Sequence, residues 1–315
     1  MINVRKAAVI GCGFVGASIA FSLMQKGIFS ELVLIDANRE KAEGEAMDLS
    51  HGLPYTASMR IYAGDYDDVA DCAMVIVTAG ANQKPGETRL DLIGKNVAIL
   101  KSIIPQLTSR NFKGILMIVS NPVDVLTYAA WRLSGLPAHR VIGSGTVLDP
   151  ARLKYLLSQE LGVDSRNVHA AIIGEHGDSE LAAGSSANIS SVDLAQFCTL
   201  RGIQDQAALR DKIYHEVRDS AYEIIQRKGA TYYGIAMAVS RIAECVMKDE
   251  HAMLPVSVLL EGQYGQHDVY ASVPARLNRE GVADIIELNL TEEEQKEFAA
   301  SCKTMDENYR LALTL

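Results

Sequence analysis

Short unbroken apolar runs alternate with helical periodicity through the first half of the chain. Lys6–Ile10, Leu32–Ile35, Ala73–Val77 and Gly114–Val119 each read as a strand, with Arg140–Ile142 a shorter one. Apolar residues at successive positions, not at every second one, fit strands covered on both faces. Between them, Ala17–Lys26 ends at Gly27, and Asn38–Ser50 has Asn38 placed to cap it; both have helical spacing. Strands alternating with helices through right-handed crossovers predict an α/β fold, a Rossmann-type doubly wound parallel sheet. The texture changes after about residue 148. Asp149–Gly162, Gln206–Gln226 and Tyr232–Lys248 are helical patterns, and Pro255–Glu261 and Asp268–Ser272 read as strands of a mixed or antiparallel sheet. Thr291–Leu313 is a charged amphipathic helix with Thr291 and Glu294 at capping-box spacing. The expected organisation is a doubly wound domain over 1–145 and an α+β domain over 146–315. The change of pattern between them is not a flexible linker.

Composition narrows the picture. A chain of 315 residues, 48 % hydrophobic and 22 % charged, is a globular protein with room for two cores, not a disordered chain or a disulfide scaffold. Its formal charge of −9, from 30 basic and 39 acidic residues, disfavours nucleic acid or an anionic membrane as partner. The five cysteines, at 12, 72, 198, 245 and 302, include no CxxC clip, so reduced thiols in a cytoplasmic setting are expected, with no zinc site. No run of about 20 apolar residues predicts a membrane span, and Met1–Lys6 does not lead into a secretory h-region.

The first candidate chemistry lies where the first strand meets the first helix. Gly11, Gly13 and Gly16 surround Cys12, Phe14 and Val15. A tight turn, a close backbone approach and helix–strand packing would each need a glycine here, and the helix N-terminus would hold a pyrophosphate. Asp36, 20 residues after Gly16, ends the second strand. A carboxylate there can take two ribose hydroxyls and would repel a 2′-phosphate, which favours NAD over NADP. The alternative is an ordinary glycine turn and a capping aspartate.

Four later segments bear on a reaction. Thr78-Ala79-Gly80 leaves a buried strand and runs into a polar stretch holding Gln83, Lys84 and Arg89, a loop that could close as a lid. Asn121 ends a strand before Pro122 and could orient a cofactor ring or a substrate oxygen, or simply cap a helix. Asp149 and Arg152 flank Pro150 and Ala151 at a helix start; Arg152 could grip a carboxylate with two prongs, or the pair could be a cap and a surface arginine. His176 stands between Glu175 and Gly177, with Gly174 just before, a backbone freedom that a packed core histidine rarely needs. Asp178 is close in sequence, which does not make it the partner of His176.

Taken together, these segments resemble the family of NAD-dependent lactate and malate dehydrogenases, and the likeness runs from Gly11 to the terminal helix. The resemblance implies NAD as cofactor, with Gly11, Gly13, Phe14, Val15, Gly16, Asp36, Thr78, Ala79, Gly80 and Asn121 around it. It implies His176 as proton donor and acceptor, Asp149 as the carboxylate that orients it, and Arg89 as the arginine that polarises a substrate carbonyl. Arg152 is implied as carboxylate anchor, and Asn121, Gln83 and Thr231 as substrate contacts; on sequence alone Thr231 would serve as a helix cap. A neutral Gln83 cannot balance a second substrate carboxylate, so pyruvate/L-lactate is expected over oxaloacetate/malate. No metal is expected.

Two departures from the family's pattern matter. Some bacterial members bind fructose 1,6-bisphosphate between subunits through an arginine and a histidine; the matching residues are Lys154 and His169, and lysine lacks the forked geometry. Ala182-Ala183-Gly184-Ser185 stands where relatives often carry bulkier residues, including a tryptophan. Trp131, the single tryptophan, is expected in the core or at an interface. A homotetramer is the assembly the resemblance implies. Alternatives are a malate-type or other 2-hydroxy-acid enzyme, a non-enzymatic NAD-binding sensor, and, more remotely, an NAD-dependent glycosidase.

Overall fold

A computed structural model describes residues 2–81 and 88–314. Strand β1 (Asn3–Ile10) leads into helix α1 (Phe14–Lys26), followed by β2 (Glu31–Ile35), α2 (Arg39–Gly52), β3 (Arg60–Ala63) and β4 (Cys72–Val77). Helix α3 (Arg89–Ser109), β5 (Ile115–Ile118), α4 (Val123–Ser134) and β6 (Val141–Gly143) complete the parallel part, in strand order β3-β2-β1-β4-β5-β6. All six residues of β4 and all four of β5 are buried, which is why these strands read as unbroken apolar runs. Asn38 caps α2 by accepting from the Lys41 amide at 3.3 Å. Gly27 ends α1 at φ 61°, where any other residue would be strained.

Helix α5 (Leu148–Leu161) opens the second half. The short strands β7 (Val168–His169), β8 (Ile172–Gly174), β9 (Glu180–Ala182), β10 (Asn188–Ile189) and β11 (Val192–Asp193) follow. Then come α6 (Leu194–Leu200), α7 (Gln206–Lys228), α8 (Tyr233–Met247), β12 (Met253–Glu261), β13 (His267–Asn278), β14 (Gly281–Ile285) and α9 (Glu292–Thr314). The expected mixed and antiparallel pairing is present: β7, β10 and β11 form a small antiparallel sheet, and the long strands β12 and β13 extend the parallel one. β12 joins β6 through Ser257 opposite Gly143, so the large sheet runs on from parallel to antiparallel. β13 then carries β8 through Ser272 opposite Gly174. This junction hangs the segment after Gly174 from the centre of the molecule. β13 also runs further than the expected Asp268–Ser272, because β14 pairs with its far end.

One core follows the large sheet, and a second gathers α5, α6 and α7 around β7 and β10. Trp131 packs against the main core beside Tyr128 and Tyr270. The terminal helix α9 starts with the expected box, the Thr291 amide donating to Glu294 Oε2 and the Glu294 amide to Thr291 Oγ1. Its Tyr309 stacks on Tyr128 with centroids 4.4 Å apart.

Candidate active site

The carboxyl ends of β1, β2, β4 and β5 converge on one edge of the sheet. Gly11, at φ 100°, lets the backbone turn; a Cβ there would meet the Ala79 amide nitrogen at 2.6 Å. A Cβ on Gly16 would lie 1.8 Å from the Gly11 carbonyl oxygen. These two glycines are demanded by the protein itself. Gly13 is different: a Cβ there meets nothing within 4 Å, and no side chain caps the helix it opens. The first-turn amides of α1, from Phe14 and Val15 onward, are therefore left for an anion. Asp36 Oδ2 accepts from the Cys12 amide at 2.6 Å and Oδ1 from the Asn38 amide at 2.9 Å, which ties β2 to the glycine loop. Cys12 itself is buried, and burial followed by the charge of Asp36 pushes its thiol up to about 12, so it acts as a filler.

Thr78 Oγ1 donates to the Gly11 carbonyl at 2.7 Å, and the Thr78 and Ala79 amides donate to Ile10. Buried Asn96 of α3 joins two loops: its Oδ1 accepts from the Ala81 amide and its Nδ2 donates to the Asn121 carbonyl, both at 2.7 Å. The peptide between Asn121 and Pro122 is cis. Gly80 lies against Ser120, whose hydroxyl donates to the Ala79 carbonyl at 2.7 Å. Phe14, 71 % exposed, stacks on Tyr232 with centroids 5.4 Å apart, so α1 and the start of α8 share a ring contact at this edge. The residues expected around NAD thus form one open cradle of backbone amides with a carboxylate beside it. That donor set fits a dinucleotide.

The second cluster is buried and charged. Asp149 does not cap α5; it sits inside the first turn, 1 % exposed, with Val147 at the cap. Its Oδ2 faces His176 Nδ1 at 2.6 Å and its Oδ1 accepts from Arg152 Nη1 at 2.7 Å. The His176 backbone amide donates to Asp124 Oδ2 at 2.8 Å, and Ser272 Oγ donates to Asp124 Oδ1 at 3.1 Å. Asp178, by contrast, accepts from the Tyr222 hydroxyl at 3.2 Å. Burial pulls the His176 pKa down, but the attraction and hydrogen bond of Asp149, then the charges of Asp124 and Glu180, outweigh it and lift it to about 9. The balance therefore favours the protonated ring well above the ordinary histidine range. Asp124 moves upward through burial, against the pull of its hydrogen bonds.

Glu180 completes the cluster and was not singled out in the sequence. It is 6 % exposed, its Oε1 has no hydrogen-bond partner among the described residues, and burial and then the charge of Asp149 push it up to about 8. Asp149, His176 and Glu180 offer ligand atoms within 4.8 Å of one another, spacing that could hold a metal ion. Asp149, however, already spends both oxygens on His176 and Arg152, which makes the trio an acid–base group first.

Thr231 lies just before Tyr232, the cap position of α8, so it does not cap that helix. Lys154 is half-buried on α5, where burial lowers its pKa, and His169 is exposed on β7, which packs against α5. Gln83, Lys84 and the Arg89 side chain lie outside the described residues.

Residues 5–143 match the family described as lactate/malate dehydrogenase, NAD binding domain, and residues 146–314 match its alpha/beta C-terminal domain. The chain belongs to the lactate/malate dehydrogenase family. It is 54 % identical to an L-lactate dehydrogenase of Priestia megaterium over 301 residues, 96 % of this chain and 94 % of the relative. A solved lactate dehydrogenase from a Medee basin deep-sea metagenome library superposes with a TM-score of 0.95 at 48 % identity, covering 99 % of both chains. The minor L-lactate dehydrogenase of Enterococcus mundtii, in its ligands-bound form, gives 0.94 at 43 % identity over 97 % of this chain and 98 % of that one. This lactate/malate dehydrogenase family chain thus carries an NAD-binding domain, and no helix among its described residues is long and apolar enough to cross a membrane.

Three supporting residues escaped the sequence reading. Asn96, Glu180 and Ser301 have no motif around them. Ser301 Oγ on α9 accepts from the Glu175 amide at 2.9 Å, and a Cβ on Gly174 would lie 2.8 Å from that hydroxyl. The terminal helix therefore braces the segment that presents His176. Its only sequence signal is a small polar residue on the apolar face of an amphipathic helix.

Proposed function

We propose that the chain is an L-lactate dehydrogenase that reduces pyruvate reversibly with NADH. The observation that carries this reading is Asp149 held between the His176 ring and Arg152. A reduced nicotinamide, when bound, supplies a hydride to the substrate's carbonyl carbon. His176, with Nδ1 turned to Asp149, makes no Nε2 hydrogen bond among the described residues, so that nitrogen can give a proton to the carbonyl oxygen as that oxygen gains charge. In the reverse direction the neutral ring takes the hydroxyl proton. Arg152 commits one guanidinium nitrogen to Asp149 and keeps the remaining donors for the substrate carboxylate. By resemblance, Arg89 stabilises the charge developing on the oxygen, Asn121 donates to it, and Thr231 lines the pocket. By the same resemblance, Gln83 is the residue that would contact the substrate's variable end, where a second carboxylate would stay uncompensated.

Lys154 and His169, on packed elements, are the residues we propose for fructose 1,6-bisphosphate in a homotetramer. The five cysteines, all free and buried, suit a reducing cytoplasm. The test is NADH oxidation with pyruvate and with oxaloacetate, each with and without fructose 1,6-bisphosphate. Strong pyruvate preference is expected, and a fall in apparent KM with the sugar. Oxaloacetate preference would sink the Gln83 argument; NADH binding without turnover of either acid would sink the enzyme.

A further inference from the structure

Behind the segment that carries His176 lies a cavity of about 870 Å³, within the range of small-molecule sites. Its floor is apolar, made by Leu153 and Leu157 of α5, Leu181 of β9 and Ile213 of α7, all buried. The space exists because Ala182-Ala183-Gly184-Ser185 puts almost no side-chain volume between β9 and β10. A Cβ on Gly184 would meet no atom within 4 Å.

The walls have a marked sign. Among the described residues that line the cavity, seven are acidic and one, Arg210, is cationic; Arg152 and Arg218 act on Glu180 from behind the wall. Asp211, Glu293 and Glu297 make no ion pair among the described residues. At the inner wall stands Glu180, more than nine-tenths buried, with Oε1 lacking any hydrogen-bond donor. A buried carboxyl oxygen without a donor is costly. An anion would be repelled by this lining, and a neutral apolar molecule would leave Oε1 unsatisfied.

We propose that this cavity binds a small amphipathic ammonium, an alkyl or aromatic primary amine, whose apolar body lies on the leucine floor, whose N–H donates to Glu180 Oε1 and whose charge is balanced by the carboxylates nearer the mouth, Asp211, Glu293 and Glu297. The site is separate from the dinucleotide cradle. It meets the His176 segment through Glu180, whose carboxyl oxygen lies within 4.8 Å of the ligand atoms of Asp149 and His176, and through Ser301, which lines the cavity and accepts from the Glu175 amide.

The experiment is calorimetric titration of the full chain, saturated with NADH so that the cofactor cleft is filled. The probes are 2-phenylethylamine and its neutral counterpart 2-phenylethanol. One amine per chain is expected, bound about tenfold or more tighter than the alcohol, a factor of the order expected for a partly buried charge pair. Gly184→Trp, which fills the open space, should abolish the amine heat in protein that keeps its circular dichroism. Should that variant not fold, Glu297→Gln serves instead, and should weaken the amine severalfold while leaving the alcohol unchanged. No saturable amine heat, equal affinity for the two probes, or parent-like binding by folded Gly184→Trp would each overturn the proposal.

Discussion

The two ends of the site are built by opposite means. The cofactor end is local: Gly11 to Gly16 and Asp36 work through backbone amides, and two of the three glycines are fixed by close contacts of 1.8 and 2.6 Å to any added Cβ. The catalytic end is long-range: Asp124, Asp149, His176, Ser272 and Ser301 meet from four elements and one loop, with Ser272 bonding to Asp124 from 148 residues away. The first end is fixed by shape, through close contacts that only glycine allows at Gly11 and Gly16. The second is a balance of buried charges, in which one altered carboxylate changes the protonation of the whole group.

The largest effect should follow His176→Gln. Loss of the proposed proton donor is expected to lower turnover by about 10²- to 10⁴-fold. NADH affinity, followed by fluorescence titration, should stay near the parent value, because the cradle shares no side chain with the histidine. An equal loss of NADH binding would show that the two ends are not independent.

Asp149→Asn addresses the charge balance directly. The His176 pKa is lifted to about 9 from its ordinary 6.5, so the protonated form that the proposed pyruvate reduction would need persists until pH rises through about 9. Without the Asp149 charge, burial dominates, and the alkaline limit of kcat/KM for reduction should move to 6.5 or below. Near pH 8 the loss should exceed tenfold, on the order of the population change for a pKa moved across that range. Stability follows the same sign. A raised folded pKa stabilises the parent below about pH 6.5, and that contribution fades as pH climbs through about 9. The variant's thermal midpoint should lack this decline. An unchanged alkaline limit would remove Asp149 from the role.

The same contrast explains what could be read from the sequence. The doubly wound sheet was legible because β4 and β5 are buried along their whole length and say so residue by residue. The glycine loop was legible because its parts are adjacent. His176 stood out through its flanking glycines, but its bond to Asp149 was not readable from spacing, where a helix cap competed as an explanation. Only the fold shows Asp149 inside the first turn with its carboxylate turned to the ring. Glu180, Asn96 and Ser301 were invisible because nothing local marks a side chain whose partner comes from another element. The continuation of the parallel sheet into β12 and β13 rests on one pairing, Ser257 with Gly143, which no periodicity encodes.

The smallest effect on stability, and the sharpest on the comparison, belongs to Gly13→Ala. Gly13 has φ −72° and ψ −174°, which alanine adopts freely, and its Cβ would stand clear of the protein. A glycine-to-alanine change at a helix cap costs under about 1 kcal/mol, a shift of roughly 2–4 °C or less in thermal midpoint for a chain of this size. The methyl group would nevertheless point into the space above the uncapped α1 amides, where a pyrophosphate must approach closely. NADH affinity should therefore fall by about tenfold or more, equivalent to roughly 1.4 kcal/mol, in a protein that melts almost as before. Gly16→Ala, with its methyl driven 1.8 Å from the Gly11 carbonyl oxygen, should instead lose the fold of the loop itself. If Gly13→Ala kept parent affinity, the open side of Gly13 would not be the face that receives the cofactor. Packing would then explain Gly11 and Gly16, and nothing in the structure would explain Gly13.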